Sequence, residues 1–215
     1  MSTRRNFISK VLTGMFGLGF VLDPFFSFRR KALAQLAETS EGDFLRNKDP
    51  KDVDTTNLEI TPLKDFGTMG LEDYQADTSV WRLVIDGHVE NKMNFGYEEL
   101  LELPTIEKPV LLICPGFFAN HGLWKGVSVG HLLKLAKVKK EVSHVSFRGP
   151  EGNYEKVLRV PLNDIAAEKV FLAHHVNGTP LPRKHGFPLR LVAEGYFGYD
   201  WVKYVYKVTA EIVAA

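Results

Sequence analysis

The sequence predicts an α+β fold, one domain of mixed sheets with short helices. Three observations lead there. Stretches with strand patterning outnumber helical ones, the helical stretches are short, and the two kinds do not alternate as a regular βαβ chain requires. The chain has 215 residues, 45% of them hydrophobic, enough for one well-packed core with short extensions and too few for two. A charged fraction of 25% excludes global disorder.

Taken in order, "SVWRLVIDG" (79–87) reads as the first strand, closed by the turn pair Asp86–Gly87. "NFGYEELLELP" reads as a short helix with Glu98, Glu99 and Glu102 on its wet side, stopped by Pro104. "KPVLLIC" is a continuous apolar run of strand length, expected to be a central, fully buried strand. It breaks into a Pro/Gly loop at Cys114, and "SVGHLLKLAKV" follows as an amphipathic helix with Ser128 as its N-cap. "VSHVSF" and "YEKVLRVPL" read as strands around the turn "GPEGN"; "LNDIAAE" is a short helix and "VFLAHHV" another strand. Strand alternation puts His174 and His175 of that strand on opposite faces. "NGTPLPRKHGFPLRLV" (177–192) is turn-rich and feeds a strand, and "WVKYVYKVTAEIV" reads as a long final strand.

The first 34 residues differ in kind. Arg4, Arg5, Lys10, Arg29, Arg30 and Lys31 against Asp23 give them a charge of +5, leaving −4 on the rest of a chain whose net charge is +1. A body of that charge excludes nucleic acid as an expected partner. Thr3, the Arg4–Arg5 pair, Phe7 and Ile8, followed by a mild apolar run from Val11 to Leu22, resemble a twin-arginine export signal read by the twin-arginine translocase. "ALA" at 32–34 offers a cleavage site, although the basic residues 29–31 before it leave a retained anchor open. The apolar run is shorter than the ~20 residues that span a bilayer. Residues 35–57 read as a linker or loosely wrapped arm, and 58–215 as the folded domain. The expected location is the periplasm, with membrane association left open.

The chain has one cysteine, Cys114. It cannot form an internal disulfide. A thiolate there serves as a nucleophile, with His121 as its nearest candidate base, or as a soft-metal ligand; a buried free cysteine also serves as a small hydrophobe. Missing thiols argue against a four-ligand zinc site, so a metal would need further ligands from an organic cofactor. Arg190 enters a strand between Leu189 and Leu191, where an unpaired charge is costly, whereas Arg183 and Lys184 read as a solvated tip. Gly195 and Gly198 permit close backbone approach to a ligand, and Lys203 stands among apolar residues.

In order and spacing, these stretches resemble the molybdopterin-binding domain of the sulfite oxidase-like oxidoreductases. The likeness rests on "WRLVIDGHVENKMNFGYEELLELP", on Cys114 followed by Trp124 and Gly126 opening a helix, on "NGTPLPRKHGFPLRLV", and on the closing "WVKY". It implies a fold of the sulfite oxidase type and a molybdenum–molybdopterin (Mo-MPT) cofactor whose metal is bound by Cys114. It implies cofactor contacts at His185, Arg190, Trp201, Val202, Lys203 and Gly149, with Phe66 and Gly67 in a looser match. Sulfite oxidases carry arginines soon after the cysteine, where this chain has "PGFFANHG". The expectation is therefore a neutral small-molecule substrate such as a sulfoxide, with Phe117, Phe118 and Asn120 shaping the mouth and His121 as catalytic proton donor. The chain ends at Ala215, soon after the cofactor strand, so the C-terminal dimerisation domain of sulfite oxidases is not expected. In type the sequence is closer to the exported, periplasmic methionine sulfoxide reductase catalytic subunits. That resemblance implies electrons from a separate membrane cytochrome or quinone-linked subunit. An exported non-catalytic binding module of the same fold and a Cys–His hydrolase or transferase stay open as alternatives.

Overall fold

The computed structural model describes residues 44–152 and 155–213. The twin arginine, the apolar run and the 32–34 site of the expected export segment lie outside the described residues. Within the unit formed by residues 45–215, ten strands are described: β1 (Leu83–Gly87), β2 (Met93–Phe95), β3 (Thr105–Cys114), β4 (Phe118–Ser128), β5 (His144–Arg148), β6 (Val157–Pro161), β7 (Val170–Val176), β8 (Thr179–Pro180), β9 (Arg190–Ala193) and β10 (Lys207–Glu211). Three short α-helices accompany them: α1 (Tyr97–Leu101), α2 (Val129–Leu135) and α3 (Leu162–Ala166). This is the mixed, sheet-dominated α+β domain the pattern predicts.

The strands form two sheets, one in the order β2-β1-β10-β5-β6 and one in the order β3-β4-β7-β8 with β9 also on β7. In the first sheet β1 and β10 are parallel, with Val84 beside Lys207, and the other pairs are antiparallel. One large apolar cluster draws on both sheets and on the helices, through residues such as Ile85, Phe147, Val208, Trp124, Leu172 and Leu132. Ser128 caps α2 as expected, its Oγ accepting from the His131 N–H at 3.3 Å, a contact typically contributing ~1 kcal/mol.

Four expectations need correcting. Among the described residues β3 is an edge strand, paired only with β4; its outward residues Leu111 and Ile113 are buried by Leu45, with Val53 and Leu58 packed alongside. A covering arm, and not a second strand neighbour, makes the run apolar on both faces. The residues after Cys114 are a tight turn at Pro115–Gly116 and then β4, so Trp124 and Gly126 lie in a strand and the helix opens at Val129. The final strand is short, because residues 201–206 follow an irregular path with Tyr204 at φ 55°. Last, His174 and His175 are in contact, Nδ1 to Nδ1 at 2.6 Å. The β4–β7 register shifts at Lys125/Gly126, opposing Ala173 to Gly126 and His175 to Lys125, and such a bulge re-aims a side chain that alternation would separate. Gly126 permits it: a Cβ there would sit 1.9 Å from the Leu172 carbonyl oxygen.

Candidate active site

Cys114 ends β3 beside a cavity of about 460 Å³. The Phe117 N–H donates to the Cys114 carbonyl at 3.0 Å, closing the hairpin turn. Cross-strand pairing sets Cys114 opposite Phe118 and Leu112 opposite Asn120, so these residues share the face that meets the cavity. Asn120 fixes the adjoining wall, accepting from the Gly67 N–H at 3.0 Å and donating to the Gly67 carbonyl at 2.8 Å. Gly67 lies so close to Phe118 that a Cβ would sit 2.3 Å from its ring. The thiol is buried and free. Burial pushes its pKa up, with Lys156 opposing, so the protein alone does not generate a thiolate, whereas a bound metal would.

Arg190 opens β9 and is buried. Its guanidinium packs against two mutually contacting indoles, 5.6 Å from the Trp124 ring centroid and 5.4 Å from that of Trp201. Nη1 donates to the His185 carbonyl at 2.9 Å, and Nε has no partner. Burial lowers its pKa to about 10, with Tyr204 opposing, so it is cationic at neutral pH. A buried cation held by rings and one carbonyl lacks an anion, and the cavity it lines is where an anion would reach it. Below it, His185 is buried with Nε2 unpartnered. Burial first, then Arg190, Lys184 and Lys203, lower its pKa to about 3, so the imidazole is neutral.

Lys203 lies on the same wall and is already engaged. Its ammonium donates to Thr68 Oγ1 at 2.7 Å, the Leu71 carbonyl at 3.0 Å and the Lys184 carbonyl at 2.8 Å. It staples the 67–71 loop to the 183–186 turn. Burial, followed by Arg190, lowers its pKa to about 8, with Glu72 opposing.

Of the residues expected at the site, Cys114, Gly67, Arg190, Trp201 and Lys203 line the cavity. Phe66, His185, Val202 and Gly149 form a layer behind it. Phe66 packs against Trp124 and His185, and a Cβ on Gly149 would lie 2.9 Å from the Lys203 carbonyl oxygen. His121 is the exception. It pairs with Leu111 on the opposite face of the hairpin, where Nδ1 meets the Glu59 carbonyl at 3.1 Å. The two-residue periodicity of a strand puts it on the face away from Cys114, which removes it as proton donor and as base of a Cys–His pair. Phe117 is also misplaced, being 63% exposed while Phe118 lines the cavity. Lys156, Tyr199 and Tyr204 line the cavity unforeseen. Lys156 directly precedes β6, and the sequence reads it as one residue of the strand "YEKVLRVPL" with nothing to single it out.

Comparison with known proteins agrees with this geometry. A family model described as the oxidoreductase molybdopterin binding domain matches residues 70–212. The NADPH nitrate reductase of Fusarium oxysporum is 29% identical over 153 residues, covering 60% of this chain and 17% of that protein. The uncharacterized oxidoreductase YuiH of Bacillus subtilis is 33% identical over 118 residues, 54% of this chain and 58% of that one. The crystal structure of the sulfane dehydrogenase SoxCD from Paracoccus pantotrophus is similar at a TM-score of 0.61 and 25% identity, covering 65% of this chain and 40% of that chain. The matched segment thus spans less than two thirds of each of these proteins.

Proposed function

Because the chain belongs to the oxidoreductase molybdopterin-binding domain family, we propose that it is a periplasmic molybdenum–molybdopterin oxidoreductase, moving an oxygen atom or electrons to or from a small substrate. One observation carries this reading: the buried Arg190 guanidinium, packed against Trp124 and Trp201 with Nε unpartnered, faces the same cavity as the only thiol of the chain. A pterin phosphate supplies the anion that Arg190 lacks, and a soft metal suits Cys114. The residues present therefore fit the cofactor. When bound, the cofactor supplies two-electron redox chemistry and oxygen-atom exchange.

The protein's share is binding and orientation. Arg190 holds the anionic end, and Trp201 and Trp124 keep its guanidinium in place. Lys203 fixes the 67–71 loop as a wall. Phe118 and Leu112 exclude water from the thiol side. His185, neutral and buried, presents an unpartnered Nε2 beneath Arg190. The methionine sulfoxide reductase-like type, export by the twin-arginine route, and electron supply by a membrane cytochrome or quinone-linked subunit are part of the proposal. They are supported by the Arg4–Arg5 segment and the sequence resemblance. The sulfoxide expectation rested on an aromatic mouth without cations. Phe118 supplies one ring, Phe117 is exposed, and Lys156 adds a cation. The lining thus suits a substrate with an apolar body, and its charge preference turns on Lys156.

The test is metal and pterin analysis of protein from a molybdenum-replete host, for the parent chain and for Cys114→Ser. The expected result is stoichiometric molybdenum and pterin in the parent, with loss of turnover and an altered molybdenum EPR signal in Cys114→Ser, because an alkoxide is a harder ligand. A folded parent free of both molybdenum and pterin overturns the reading.

A further inference from the structure

Lys156 is the cavity's uncommitted cation. Its backbone is fixed, the Gly149 N–H donating to its carbonyl at 2.9 Å, and its side chain lines the cavity that holds Cys114. The neighbouring charges are accounted for. The Lys203 ammonium is saturated by three oxygen acceptors. Arg190 is buried against the paired indoles of Trp124 and Trp201. Glu155, on the same lining, is neutralised by Arg148. Asp200 is near enough to influence Lys156, yet among the described residues no carboxylate lies within ion-pairing distance of the Lys156 ammonium, and it makes no hydrogen bond. A half-buried ammonium with all three N–H groups free is a recognition group without its ligand. Around it, Phe118, Leu112 and Met69 make the wall apolar.

We infer that Lys156 determines specificity at this site, selecting small substrates that join an apolar body to one anionic group. The inference rests on the reading of Cys114 as the marker of the reacting centre. It reverses the expectation of a neutral substrate, which looked for cations only in the residues just after the cysteine.

The single cysteine makes the idea testable without turnover. In the full chain prepared from a host unable to make the cofactor, Cys114 is alkylated with iodoacetate, an anion, and with iodoacetamide, its neutral counterpart. Lys156→Gln is expected to lower the iodoacetate-to-iodoacetamide rate ratio by about 3- to 10-fold at low salt, and by less at high salt, since one partly screened charge acts over a few ångströms. Lys156→Arg keeps the charge and the ratio. Lys125→Gln, on β4 opposite Glu107 and His175, leaves it unchanged. Benzoate, an apolar ring with one carboxylate, should protect Cys114 from iodoacetamide in the parent and in Lys156→Arg, but not in Lys156→Gln; benzyl alcohol should not protect. An unchanged ratio in Lys156→Gln, or equal protection by benzyl alcohol, overturns the inference. Molybdenum content has no bearing on either readout, so failure here is distinct from failure of the proposed oxidoreductase function.

Discussion

Arg190 joins two opposing effects in one side chain. Without an anion it is a buried charge whose burial is uncompensated; with one it becomes the strongest electrostatic contact of the cavity. Arg190→Met is therefore expected to act with opposite signs on two measurements. Pterin content after purification should fall, by about 10- to 100-fold in affinity, from the loss of ~1.5–3 kcal/mol of charge-assisted hydrogen bonding. The unfolding temperature of the cofactor-free protein should hold or rise, because a thioether packs against the indoles without a desolvation cost. A residue serving only as core would lower both. Arg183→Ala, on the exposed turn, should change neither. At this scale the sequence was legible where chemistry and burial conflict, as for an arginine inside "PLRLV". It was illegible at Lys156, one charged residue in a stretch that reads as an ordinary strand, whose place beside the cavity comes only from the tertiary fold. His121 failed for a related reason. Proximity along a strand says nothing until the register fixes which face a residue takes.

The β7 bulge shows how an element departs from its own pattern. Adjacent histidines on a regular strand stay apart, yet here they share a hydrogen bond in which one Nδ1 must carry a proton and the other accept it. Burial, with His175 and Lys125 adding to it, lowers the His174 pKa to about 4, and that of His185 is about 3. Both imidazoles stay neutral in the folded chain, while in the unfolded chain they titrate near the usual 6.5. Below that value the unfolded chain binds protons that the folded chain refuses, so stability falls with pH between about 6.5 and 4. Urea midpoints should drop from near pH 7 to near pH 5, and His174→Gln should flatten that slope; a parent midpoint that is level over this range contradicts the assignment. Among elements, α2 and its Ser128 cap were legible because apolar spacing and a capping residue agree. The 201–206 run misled because its aromatic and β-branched residues suit a strand. Its backbone instead bonds the start of β9 and the residue just before it, the Leu191 N–H donating to the Val202 carbonyl and the Val205 N–H to the Leu189 carbonyl, while Lys203 staples the loops.

At the scale of the whole molecule, the proposed export has a simple test. Exchanging Arg4 and Arg5 for lysines should leave the protein in the cytoplasm, folded and carrying molybdenum, because the signal is an address and not part of the fold; normal periplasmic levels of the double variant contradict the twin-arginine reading. The fold class was legible from the count and length of elements. The sheet order was not, since nothing in local patterning announces that β1 and β10 are partners. That pairing, Val84 with Lys207 and Gly87 with Ala210, has a kinetic consequence. The first strand has no neighbour on one side until β10 has been made, so its sheet cannot close before then. Folding must pass through a long loop closure whose entropy is spent before the pairing returns anything, and high contact order of this kind slows the search to the millisecond-to-second range or beyond. During that interval β1 is an unpaired edge. Residues 198–204, which line the cavity, lead directly into β10, so this wall takes its final shape only when that pairing forms.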